Sequence, residues 1–555
     1  MRLRNYAATL LFAIPLFAVL ALHSTAKPRK TVSPPVLIRM PEYHVMTPLP
    51  DGRLVGVFDQ GGEAFARYSS DGGRTWLPPE RLFAHPKGLG GFGLHNLVAD
   101  KNGELHLIYT ANTEGKTIYE THYDVYHFGS TNSRKTWKPP VMVAKGYYGS
   151  LLSVIVLRSG RIILPVCYLT PRVWSNRGTG FDAFTDMGRF ESGVFYSDNG
   201  GENWKQADAQ FKVPSPYIGA DGIIEPIALE LKDGRVWMLL RTQLGRFFQS
   251  FSQDGSVWTK PSPTSILSSD SPPSLVRMKD GRVVMLWNNC LRFSYAQGGR
   301  HVIHAAISDD DTKTWRGYRE IARNPFVHEP PPPNGDHGVA YTLPALTKDG
   351  EIITPLSVGG TGGAWLLRFD PDWLNETTRN ADFTSAADAW HSFGTRGVEV
   401  VAHPDKTGAK ALQIRKVEPD WPSATTWNFP NGKSGRLKMR LKLNSGFGGA
   451  RIALTDHFSV AFDPEERYFN LFNLNIPSDG KLQRGEITPG EWQNVQFDWN
   501  TSKLECKVSV NGRPAETLPM SRRTAGVNHV RITSSADVID TAGMLVESVE
   551  ASVTP

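Results

Sequence analysis

A short turn-forming pattern, Ser-x-Asp-x-Gly-x-Thr-Trp, recurs five times along this chain, and such recurrence restricts the fold to an array of similar units. The fullest copy is Ser69-Ser70-Asp71-Gly72-Gly73-Arg74-Thr75-Trp76. Residues 130–137 and 197–204 repeat it, 308–315 keeps the spacing without the glycine, and 252–258 is one residue short. Asp or Asn can bond the backbone of its own loop, Gly supplies a positive φ, and Trp packs the turn onto a sheet. The five tryptophans lie 61, 67, 54 and 57 residues apart, which suits one four-stranded blade per interval.

A second feature gives the number of units. Asp51-Gly52, Asn102-Gly103, Ser159-Gly160, Asp233-Gly234, Asp280-Gly281 and Asp349-Gly350 each precede an apolar strand-like run. They are expected as type I′ hairpin tips, one per blade, making six blades. The 52 Gly and 39 Pro agree with short strands and sharp turns, and argue against long helices. The boxes themselves are structural and carry no chemistry.

Boxes of this kind resemble those of the sialidase (neuraminidase) superfamily, over roughly residues 36–374. The fold class this implies is all-β, a six-bladed β-propeller. As a mark of fold the boxes are specific; as a mark of function they are weak. After residue 374 the pattern stops. A polar stretch at 375–389 reads as a linker, and alternating strands return over 390–555. Residues 490–499 and 504–512, with an Asn-Gly tip, are similar to the β-sandwich of concanavalin-like jelly rolls. That module either binds carbohydrate or packs structurally on the propeller.

The resemblance also implies a site. Sialic acid carries a carboxylate at its anomeric carbon, so arginines, whose planar fork binds carboxylate bidentately, hold it. A carboxylate nucleophile would be repelled, and such enzymes use a Tyr activated by Glu, with Asp as acid/base. Glu225 and Arg241, sixteen residues apart across the Asp233-Gly234 hairpin, resemble the catalytic Glu and one arginine of the triad. Arg300, eight residues before a box, resembles another, with Arg292 as its rival. Tyr341, nine residues before Gly350, resembles the nucleophile. Each has a bland alternative, an ion pair or a core tyrosine.

The first blade departs from the family pattern. Counting back from Gly52 to the place of the family's Arg-x-Pro lands on Glu42, whereas Arg39-Met40-Pro41 lies three residues too early. Either an insertion lets Arg39 serve, or only two arginines remain, or Glu42 and His44 read a different sugar. Asp59 is the acid/base candidate, with Glu63 second. His95, opening a strand of the second blade, is a further candidate, since a His at such a position serves as acid/base in some propellers that act on rhamnosyl-uronate linkages, and His337, beside Asp336 and ahead of Tyr341, is another histidine to weigh.

The remaining composition bounds the setting. Arg2 and Arg4, an apolar run over 7–22 and Ser24-Thr25-Ala26 read as a signal peptide over 1–26, implying a secreted or periplasmic protein without a span after cleavage. Cys167, Cys290 and Cys506 are scattered and odd in number, expected as buried thiols. The net charge of +6 is mild, and no basic run interleaved with aromatics suggests nucleic acid. No metal spacing is present, and no cofactor is expected. The expected protein is a monomeric exo-glycoside hydrolase acting on a terminal acidic sugar of a glycan. The alternatives are a His-dependent hydrolase or lyase on uronate- or rhamnose-containing polysaccharide, and a non-catalytic glycan-binding propeller.

Overall fold

The structure is a computed structural model that describes residues 32–40, 42, 45–85, 91–113, 122–146, 148–149, 151–171, 188–209, 211–213, 221–290, 299–324, 338–358, 364–384, 390–392, 395–461 and 464–555. The expected signal peptide, His44, Arg292, Asp336 and His337 lie outside these residues. The chain is all-β, and the only helical elements among the described residues are two 3-10 turns, Pro371–Asn375 and Pro464–Tyr468.

Six sheets of four or five strands, antiparallel except where Asp221–Gly222 runs parallel to Gly188–Ser197 in the third, follow one another along the first two-thirds of the chain, and none closes on itself. The first contains Val45–Pro48, Leu54–Gln60, Glu63–Ser69 and Glu80–Ala84, paired in chain order. The fourth contains Ile224–Glu230, Val236–Arg241, Arg246–Ser252 and Ser262–Leu267 in the same order. The sixth differs, because its outermost strand is Val36–Met40, which pairs with Ala364–Phe369. Arg39 is therefore on the far edge of the last sheet, and the expectation that it opens the first blade is corrected. Period-two patterning reveals a strand but not which sheet it joins.

The first two strands of every sheet are joined at the six expected tips, but the turn is not type I′. In each, the glycine alone is left-handed, with φ between 79° and 92°. In the first tip Gly52 N–H donates to Leu49 O at 2.9 Å, and Leu49 N–H donates to Arg53 O at 2.8 Å. The other five repeat that pair of bonds. This is a type I turn closed by a left-handed glycine, so one positive φ suffices where type I′ needs two. The boxes follow the third strands. Asp71 Oδ1 accepts from Arg74 N–H at 3.0 Å and Thr75 N–H at 2.9 Å, and Ser69 Oγ accepts from Gly73 N–H at 2.7 Å. Where glycine is missing, other residues take the positive φ themselves, Ser133 and Arg134 at 57° and 71°, and Asp311 and Thr312 at 58° and 77°.

Each box tryptophan also packs on the preceding sheet. Trp137 meets Phe83 of the first sheet, and Trp204 meets His127 of the second, with ring centroids 5.1 and 5.5 Å apart. Trp258 meets Phe211 and Trp315 meets Trp237, one sheet back in each case. Trp76 of the first sheet packs with Ile353 and Leu366 of the sixth. Thr47, Leu97, Ser153, Ala228, Leu275 and Leu343, at or beside the first strand of each of the six sheets, line a single cavity of about 160 Å3.

The remaining strands form an eight-stranded sheet, a five-stranded sheet and a two-stranded ribbon. Leu437, Met439 and Val549 from the larger sheet share one hydrophobic cluster with Trp427, Ile452 and Val530 from the smaller. Part of the expected linker is a strand of the larger sheet: Thr378–Ala381 pairs with Asp540–Thr554. Its residues 385–389 lie outside the described ones. Cys167, Cys290 and Cys506 are free and buried.

Candidate active site

The first strand of each sheet begins, and the second ends, on the side opposite the glycine tips. Sequence-distant polar residues gather on that side. Arg241 ends the second strand of the fourth sheet, opposite Ile224 in register. The register shifts between Ile224 and Ile227, and Glu225 within this bulge has φ 50°. A bulge bends the strand and re-aims its side chain. Glu225 is thereby turned onto Arg241, whose Nη1 donates to its carboxylate, and both side chains are 7% exposed.

Arg241 Nε donates to Asp270 Oδ1 at 2.8 Å, and Gln243 Nε2 donates to Asp270 Oδ2 at 3.3 Å. Arg300 Nη2 donates to Asp270 O at 3.1 Å, and its guanidinium lies 5.2 Å from the centre of the Tyr341 ring. Arg300 Nε is buried and has no hydrogen-bond partner among the described residues. Tyr341 is a second non-glycine residue with positive φ, at 60°, a conformation that surrounding structure must enforce. Thr342 beside it is anchored by a hydrogen bond of 2.5 Å to Ser274.

Burial works against the Arg241 charge, but Glu225, Asp270 and Tyr341 outweigh it and hold the pKa well above its ordinary value. Burial raises the Tyr341 pKa and Glu225 raises it further, with Arg241 and Arg300 opposing. The phenol is therefore protonated at neutral pH and needs a base to become nucleophilic. Glu225 lies within electrostatic reach, and Arg241 hydrogen-bonds the phenol.

Glu225, Arg241, Arg300 and Tyr341 are thus brought together from three consecutive sheets. Arg39 is not among them: its guanidinium stacks 5.1 Å from the Trp365 ring centre on the outer strands of the sixth sheet. Glu42, the rival in that region, pairs with Arg67 at 2.8 Å. Asp59 ends the second strand of the first sheet and meets His85 Nε2 at 2.7 Å, while Glu63 pairs with Arg81 at 2.9 Å. His95 is half-buried in the second sheet, with Nε2 3.0 Å from Thr110 Oγ1, and desolvation pushes its pKa down to about 4. Asp270 and Gln243 carry no motif. Their only signal is a polar run, Ser268-Ser269-Asp270-Ser271, just ahead of a first strand.

Residues 91–358, just under half of the chain, match the family model described as the BNR repeat-like domain. Among solved structures, the chain is similar to a protein of unknown function from Dyadobacter fermentans, at 18% identity and TM-score 0.44, covering 61% of this chain and 97% of that one. A Trypanosoma rangeli sialidase in complex with sialic acid is 14% identical with TM-score 0.39, covering 95% and 94%. NanB sialidase from Streptococcus pneumoniae is 13% identical with TM-score 0.41, covering 61% and 70%. No curated protein sequence matches.

Proposed function

We propose that this chain is a secreted, exo-acting glycoside hydrolase of the sialidase type, a six-bladed β-propeller followed by a jelly-roll sandwich. The propeller reading is supported by box tryptophans that each pack one sheet back, Trp76 onto the sixth, and by one cavity lined from all six first strands. The N-terminal charge and apolar run support export.

The observation that carries the activity is the meeting of Tyr341 with Glu225, Arg241 and Arg300. Tyr341 attacks the anomeric carbon, Glu225 takes its proton, and an acid protonates the departing oxygen, giving retention after water completes the second step. Asp59 is the acid in this reading, with His85 as its partner. A neutral nucleophile suits a sugar whose anomeric carbon carries a carboxylate. Arg300, with an unsatisfied Nε, is its principal anchor, because Arg241 is already shared between two carboxylates. With Arg39 elsewhere, the substrate is read by two arginines.

The test is hydrolysis of a fluorogenic sialoside by the wild type and by Tyr341→Phe. Turnover by the wild type and none by the variant supports the reading. No turnover by the wild type between about pH 4 and 8 rejects a sialoside as substrate, and equal turnover by both rejects Tyr341 as nucleophile.

A further inference from the structure

Where the fourth and fifth sheets meet the C-terminal strands, a cavity of about 490 Å3 opens, within the ~300–1,000 Å3 of ligand sites. One wall holds Arg246, Leu267, Asn289 and Tyr318, and the other holds Asp456, Arg522 and Arg523. It adjoins the candidate active site along the chain. Arg246 opens the next strand after Arg241 and pairs with Leu267, three residues before Asp270. The two walls are fixed to each other: Phe458 N–H donates to Asn289 O at 2.8 Å, and Asn289 Nδ2 donates to Asp456 O at 3.0 Å.

The charge of this cavity is one-sided. Asp456 is the only carboxylate in its lining, and both its oxygens are occupied. Arg522 grips it through Nη1 and Nη2, at 2.8 and 2.5 Å, while Thr524 Oγ1 and His457 Nδ1 donate at 2.6 and 2.8 Å. Neither oxygen of this carboxylate is left open for a cation. Among the described residues the Arg246 side chain is bonded only to Thr264 O, at 3.3 Å, and Arg246 and Arg523, both exposed, have no ion pair. Asn289 is 1% exposed, and its Oδ1 has no hydrogen-bond partner among the described residues although Nδ2 is committed. An acceptor so buried is costly unless something donates to it.

The geometry points to a second binding site here, for an anionic segment of an oligosaccharide, carboxylated or sulfated. Arg246 and Arg523 meet the anion, and Asn289 accepts from a sugar hydroxyl, which donates and accepts at once. The lining aromatic, Tyr318, is 6% exposed, so no face is offered for stacking a nucleobase. The site is separate from Tyr341, so binding is read without turnover.

The test is calorimetric titration of the full chain with an oligogalacturonate tetrasaccharide, a chondroitin sulfate tetrasaccharide and neutral cellotetraose. At least one anionic sugar is expected to bind about tenfold or more tightly than cellotetraose, and which one distinguishes carboxylate from sulfate. The double variant Arg246→Ala/Arg523→Ala, both exposed side chains, is expected to keep its Tm and weaken that binding about tenfold or more, whereas Arg300→Ala leaves it intact. The proposal is overturned if neither anionic sugar binds, if cellotetraose binds as well, or if the double variant binds like the wild type. It is also overturned if binding is lost in Arg300→Ala instead, or if a tetraglutamate peptide binds more tightly than either sugar.

Discussion

Glu225 and Arg241 face each other across the first two strands of the fourth sheet, the carboxylate turned onto the guanidinium by a bulge, and both are buried. The same guanidinium holds Asp270. One buried cation therefore answers two carboxylates, and everything around Tyr341 depends on it.

Arg241→Met is expected to destabilise the fold by about 3–5 kcal/mol, because it removes the guanidinium that two buried carboxylates share. Urea unfolding measures this, and adding Glu225→Gln should restore part of the loss. A double variant no more stable than Arg241→Met would show that the two residues are not coupled.

Tyr341→Phe should lower turnover of an accepted substrate by about 10³-fold or more while keeping the unfolding midpoint within experimental scatter. Phenylalanine fills the same space and stacks equally on Arg300. A variant that loses activity together with its cooperative transition would point to a structural role.

The buried His457 sits between Asp456 at 2.8 Å and Glu466 at 2.8 Å. Burial alone would lower its pKa, but the two carboxylates raise it to about 9. The folded value exceeds the unfolded one of about 6.5, so the stabilisation is complete below that pH and fades as pH rises toward 9. It is on the order of 3 kcal/mol. Denaturant unfolding at pH 6, 7.5 and 9 should show the decline, and His457→Gln should flatten it. A slope unchanged by the variant would remove His457 as its source.

Gly201→Ala tests a box turn. Gly201 has φ 86°, and a Cβ there would overlap the His127 ring of the neighbouring sheet. A loss of about 2–4 kcal/mol is expected from strain and overpacking together. Gly200→Ala should cost less, because that glycine has open space around its Cβ direction.

The repeating parts of this fold were legible because their chemistry is local. Ser69, Asp71 and Thr75 satisfy one another within a single turn, and each hairpin glycine answers a backbone need within five residues. The shortened box ending at Trp258 still builds its turn, with Trp258 Nε1 donating to Gly255 O at 2.9 Å. Glu225, Arg241, Arg300 and Tyr341 were found through a resemblance anchored on those local marks. Arg39 was misplaced because its partner strand lies at the other end of this region, which no local pattern encodes. Asp270 was missed because a lone Asp in a serine-rich loop looks like any turn until Arg241 is seen beside it.

The pairing of Val36–Met40 with Ala364–Phe369 joins positions more than three hundred residues apart. On the ribosome, at ~5–20 residues per second, the N-terminal strand would be made roughly twenty to sixty seconds before its partner. Until then Val36–Met40 has no sheet to join. The chain's earliest described strand is thus the clasp of its sixth sheet, and shortening the N-terminus would leave a bare strand edge open to pairing between molecules.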